Sequence, residues 1–126
     1  SPRHDTLESL ATYLEKFAQD WLACVGIRCR LDLPLQFPEW HLTSEVRHNV
    51  FLAFKEALHN ALKHSGASEV FIRLALREQS LELAVADNVS VERFQALILR
   101  ADKRCRSLGF VLATFYRLCR RHQMMA

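Results

Sequence analysis

A chain of 126 residues, half of them hydrophobic and a quarter charged, is long enough to close one apolar core and too apolar for a disordered segment. The formal net charge of +3 is modest, and no apolar run approaches the about 20 residues that span a bilayer. Cys24, Cys29, Cys105 and Cys119 lack C-x-x-C spacing, which disfavours a metal or disulfide framework and leaves free, partly buried thiols as the reading.

The opening SPRHDTLE has no apolar signal core, so a cytoplasmic domain without membrane contact is expected. Residues 1–5 read as the end of a linker, and the Asp5-Thr6 pair as a helix cap. From Leu7 to Cys24 the apolar positions Leu7, Leu10, Leu14, Phe17, Ala18 and Trp21 keep helical spacing until Gly26 stops it. Ile27–Leu33 then alternates, with Ile27, Cys29, Leu31 and Leu33 facing away from Arg28, Arg30 and Asp32. That is a half-buried strand. Pro34 and Pro38 bracket a loop carrying Trp40 and His41.

Thr43 or Ser44 can cap a second helix over Glu45–His64, stopped by Ser65-Gly66. Its Val46, Val50, Phe54, Ala57, Leu58, Ala61 and Leu62 share one side. Glu56, Asn60 and Lys63 form a stripe on the other, flanked by His59 and His64. A carboxylate, a carboxamide and an ammonium at i, i+4, i+7 suit a metal ion and a phosphate, or plain solvent. Periodicity leaves both open.

Glu69–Arg77 and Leu81–Asp87 alternate about the polar turn Glu78–Ser80, an antiparallel hairpin whose Val70, Ile72, Leu74 and Leu76 face the same core as Leu81, Leu83 and Val85. Ser90 is placed to cap a third helix over Val91–Arg104, and a break at Ser107–Gly109 precedes a fourth over Phe110–His122. The cations crowding the last quarter, Arg100 to Arg121, read as a solvated helix face and helix C-terminus. No aromatic interleaving accompanies them, and no nucleic acid partner is expected. The order implies an α+β, two-layer sandwich with helices on one face of a mainly antiparallel sheet.

The segment EALHNALKH resembles the N box of the GHKL-type ATP-binding domain shared by sensor histidine kinases, DNA gyrase and mismatch-repair ATPases. Its continuation, Asn60 through Val70, is most similar to two-component sensor kinases, and LELAVADN resembles the strand that delivers their G1 box. The resemblance covers about Pro2–Asn88 and makes residues 6–126 one such domain, diverged over 88–126. It implies Mg-ATP as ligand, with Asn60 on Mg²⁺ and Glu56 holding a metal-bound water or polarising the attacking histidine. Lys63 is implied to reach phosphate oxygens, His64 to line the pocket, Asp87 to accept the adenine amine and Asn88 to begin the loop over the nucleotide.

Implied partners are ATP or ADP, a dimerisation and phosphoacceptor domain of the same protein, and a response regulator. The reaction would be phosphoryl transfer to a histidine in two-component signalling, which this stretch alone is expected not to complete. His4 reads as a linker residue and not as the phosphoacceptor.

The pattern also departs from that family. Val89–Val91 carries no G1-box glycine, and in SLGFVLATFYRL only Gly109 survives of the G2-box glycines, with Ser107 and Val111 at the other two positions. The C-terminal strand pair is missing from the pattern, so a sheet of three strands is expected. The alternative reading is a degenerate, non-catalytic member of the fold acting as a protein-interaction module.

Overall fold

The computed structural model describes residues 6–63, 66–77 and 80–89 in full, and beyond them the strand backbones Arg93–Ala101, Leu108–Gly109 and Phe115–Leu118. The elements in order are α1 (Leu7–Cys24), β1 (Arg28–Asp32), α2 (Ser44–Lys63), β2 (Glu69–Leu76), β3 (Ser80–Asp87), β4 (Arg93–Ala101), β5 (Leu108–Gly109) and β6 (Phe115–Leu118).

Local chemistry sets the helix boundaries. The Thr6 hydroxyl accepts the Ser9 N–H at 3.1 Å and opens α1. At its other end Gly26 adopts φ +72°, the Gly26 N–H donates to Ala23 O and the Ile27 N–H to Leu22 O, the Schellman pattern that closes a helix. Thr43, and not Ser44, caps α2, its hydroxyl accepting the Val46 N–H at 3.1 Å. The loop before α2 straps the start of α1. Leu7 N–H donates to Trp40 O at 3.0 Å, Thr6 bridges His41, and the Trp40 side chain is buried.

β2 sits between β1, parallel to it, and β3, antiparallel to it. The register pairs Ile72 with Val85, Leu74 with Leu83 and Leu76 with Leu81, so alternate residues of both strands share one face. That face meets Leu7, Leu10, Leu14, Ala18 and Leu22 of α1 and Val50, Phe54, Leu58 and Ala61 of α2 in a single core. Phe17 and Trp21, expected in it, are only partly buried; Phe17 packs edge-to-face with both Phe51 and Trp21. Ala11 and Leu22 are buried in addition.

The opposite face is polar at its β1–β2 end. Arg73 Nε lies 2.8 Å from Asp32 Oδ2, and Arg30 pairs with Glu69 at 3.3 Å while lying over the Phe71 ring. The result is an α+β sandwich with both described helices on one face of a mixed, mainly antiparallel sheet.

The C-terminal third departs from the expected pattern. Residues 93–101, expected in a third helix, form β4 against β3, and Phe115–Leu118, expected in a fourth, form β6 against β4. Among the described residues the sheet therefore has six strands instead of three, ordered β1-β2-β3-β4-β5 with β6 also on β4. The cause is the free edge of β3, whose backbone N–H and C=O groups need partners that an adjacent strand supplies and a helix does not. Of the basic tail, Arg100 and Arg117 lie on strands and not on the expected helices, and Lys103, Arg104, Arg106, Arg120 and Arg121 lie outside the described residues. The linker reading of residues 1–5, including His4, lies outside the described residues, as do Cys105 and Cys119. Among the described residues no helix is long and apolar enough to cross a membrane.

Phe54 is 1% exposed at the centre of the core. Phe54→Ala is expected to cost about 3–5 kcal/mol in a urea titration, by lost burial plus the cavity left behind. Cys24 is exposed, against the expectation of burial, whereas the half-buried Cys29 has its thiol pushed above the ordinary value by burial and then by the Glu15 charge. Less of Cys29 is thiolate at pH 8, so peptide-mapped alkylation should label Cys24 several-fold faster, with the gap narrowing as pH rises.

Candidate functional site

The expected site residues fall on α2, on the link from α2 to β2, and at the exit of β3. On α2 the apolar stripe turns one side inward, leaving Glu56 and Lys63 exposed and Asn60 half-buried on the turns before the helix ends. Residues 64–68 alone then connect Lys63 to Glu69, a reach of about 20 Å at most. Glu69 begins β2, and Val70 lies directly opposite Asp87, the last residue of β3. The end of α2 and the exit of β3 are thereby held at one end of the sandwich. His64 lies outside the described residues.

Three contacts tighten this end. Gly66 takes φ +115°, and a Cβ built there would stand 4.0 Å from Val89 Cγ2, so the α2–β2 link passes beside the residue that follows Asn88. The buried Asp87 carboxylate accepts the Val89 N–H through Oδ1 at 2.8 Å, fixing the side chain across the turn. Asn88 reaches back to β2. Its Oδ1 accepts the Ser68 N–H at 3.0 Å and the Glu69 N–H at 3.2 Å, its Nδ2 donates to Ser68 Oγ at 2.8 Å, and its own N–H donates to Glu69 O at 3.1 Å.

Gly109 is not brought to these residues. It pairs with Arg100 of β4, which pairs with Ser80 at the start of β3, about 23 Å along the strand from Asp87. Sequence reasoning also missed Ser68, whose hydroxyl and N–H both engage Asn88. No local signal marks that bond, because it joins residues 20 apart and depends on the hairpin register.

The donor set bears on Mg²⁺. Among the described residues no three His, Cys, Asp or Glu side chains gather to hold a metal ion. What α2 offers is the half-buried carboxamide of Asn60 with the exposed carboxylate of Glu56 one turn away, oxygen donors of the type a hard cation takes.

No family model matches the chain. It is 35% identical over 83 residues to the nitrate/nitrite sensor protein NarX of Escherichia coli (strain K12), and equally so to the proteins of that name from Escherichia coli O157:H7 and Shigella flexneri. The likeness is to a sensor protein. The aligned stretch covers 66% of this chain and 14% of each relative, so it matches a small part of those longer proteins.

The φ of Gly66 lies in the region that glycine enters freely and other residues enter at a cost. Gly66→Ala leaves contacts intact, so its expected loss of about 1–3 kcal/mol in urea denaturation is backbone strain alone.

Proposed function

We propose that this chain is the ATP-binding catalytic region of a sensor histidine kinase, acting in two-component signalling. The observation that carries the reading is the joining of the last turns of α2 to the exit of β3 by a five-residue link and the Asn88 bonds, which sets the Asn60 stripe and Asp87 at one end of the fold. Asn60 would hold Mg²⁺ through its amide oxygen, and Glu56, one turn earlier, a metal-bound water. Mg²⁺, when bound, neutralises charge on the polyphosphate.

Lys63, the exposed last residue of α2, meets phosphate oxygens as a point charge, and the resemblance assigns His64 to the same nucleotide site. Asp87 accepts from the exocyclic amine of adenine, an acceptor that favours an amino-purine over an oxo-purine. The histidine that receives the phosphoryl group belongs to a dimerisation domain of the same protein, and a response regulator takes it on. Phosphoryl transfer asks mainly for positioning and charge neutralisation, which suits a site of fixed polar groups. The proposed compartment is the cytoplasm.

A second reading, a non-catalytic member serving as a protein-interaction module, is favoured by β4. The chain leaves Asp87 and returns as β4 at Arg93, without the G1-box glycines of the family it resembles, and Gly109 stands at the far end of the sheet.

Isothermal titration of the folded chain with Mg-ADP and Mg-ATP decides between them. Saturable binding is expected, weakened at least about tenfold, or about 1.4 kcal/mol, by Asn60→Asp and by Asp87→Asn. A folded parent chain that takes up neither nucleotide at millimolar concentration leaves the interaction module as the function.

A further inference from the structure

Asn88 makes four hydrogen bonds across the exit of the hairpin, two to Ser68 and two to Glu69, the first residue of β2. Its orientation is fixed by chemistry. Backbone N–H groups only donate, so the group facing Ser68 N and Glu69 N must be the carboxamide oxygen, which leaves Nδ2 for the Ser68 hydroxyl. Both ends of the carboxamide are thus occupied by the chain itself. The residue before it, Asp87, is the last to pair with β2, and the residue after it, Val89, donates its N–H to the Asp87 carboxylate.

We infer that Asn88 is a positioning residue, which sets the Asp87 carboxylate and does not itself contact the nucleotide. The inference rests on the proposed nucleotide site and refines it. With the backbone at Asn88 tied to Ser68 and Glu69, the turn that carries Val89 N–H is held, and Asp87 Oδ1 keeps one direction. Loss of that tie loosens the turn that carries the Val89 N–H, and with it the Val89 bond to Asp87 Oδ1. Asn88 therefore governs purine selection through Asp87, together with the part of the affinity that Asp87 supplies, while the α2 stripe supplies the rest.

Two measurements test it. The first needs no ligand: amide hydrogen exchange of the free chain and of Asn88→Ala, with the Ile72 and Val85 amides as a control that the sheet is intact. Faster exchange at Ser68, Glu69 and Val89 together is expected. Unchanged Val89 exchange, or Ser68 and Glu69 amides already unprotected in the parent, overturns the inference.

The second compares Mg-ADP and Mg-GDP affinities by titration. Asn88→Ala should lower the preference for ADP over GDP about fivefold or more, and Asn88→Asp should keep it within about twofold, because a carboxylate accepts the same two N–H groups and the Ser68 hydroxyl. An added charge acts on both nucleotides alike, so the ratio isolates the positioning effect. An equal loss for ADP and GDP in both variants means direct contact and overturns the inference. If the parent chain binds neither nucleotide, the ATP-binding reading fails by that result, and the exchange measurement still decides whether Asn88 holds Asp87.

Discussion

The fold depends on burying the inward stripe of α2 across the shared face of β2 and β3. Val50, Phe54, Leu58 and Ala61 recur at helical spacing, while Val70, Ile72, Leu74, Leu81, Leu83 and Val85 recur at every second position. Only one rotation of the helix and one register of the hairpin bring the two patterns together. A one-residue slip of β3 would turn Leu83 and Val85 away from the core and Glu82 and Ala84 into it. The same constraint fixes what the other side of α2 does, since Glu56, Asn60 and Lys63 are left on the turns that end beside the start of β2.

The elements through Asp87 were legible in the sequence because each carries both a period and a stop. α1 has its six apolar positions and Gly26, β1 its alternation of Cys29 and Leu31 with arginines, α2 its stripe and the Gly66 stop, and the hairpin its two matched rows. What sequence left out is how they pair. Nothing local says that β1 lies parallel to β2, with Leu31 opposite Ile72, since that contact is made only after α2 has crossed between them. β4 failed for a different reason. In Arg93–Ala101, Phe94, Leu97, Ile98 and Ala101 fit a helix, whereas Leu97 and Leu99 stand opposite Leu83 and Leu81 in the strand. A nine-residue segment with six apolar side chains does not choose between these periods, and the open edge of β3 chose.

The candidate site was legible in part. Glu56, Asn60 and Lys63 stood out as a polar stripe, the family resemblance added Asp87 and the roles, and the short link from α2 to β2 brings their elements to one end. Asn88 was marked too, but its partners were hidden: a side chain that bonds Ser68 and Glu69 is visible only once the strands are in register. Gly109 was picked out as the survivor of a glycine-rich pattern, and β5 sets it at the opposite end of the sheet. A glycine's place in a motif says what its backbone is able to do, and the pairing of neighbouring strands decides where it does it.

The bonds from Asn88 to Ser68 and Glu69 also bear on how the hairpin breathes. A two-stranded ribbon frays from its open end, where the last ladder bonds have no covalent neighbour across the gap. In β2 and β3 that open end is the one carrying Val70 and Asp87. Cross-linking it through a side chain converts residues 68–88 into a ring closed by hydrogen bonds, so both ends of the ribbon are tied. The weakest part of an ordinary hairpin thereby becomes the part best suited to hold a carboxylate still.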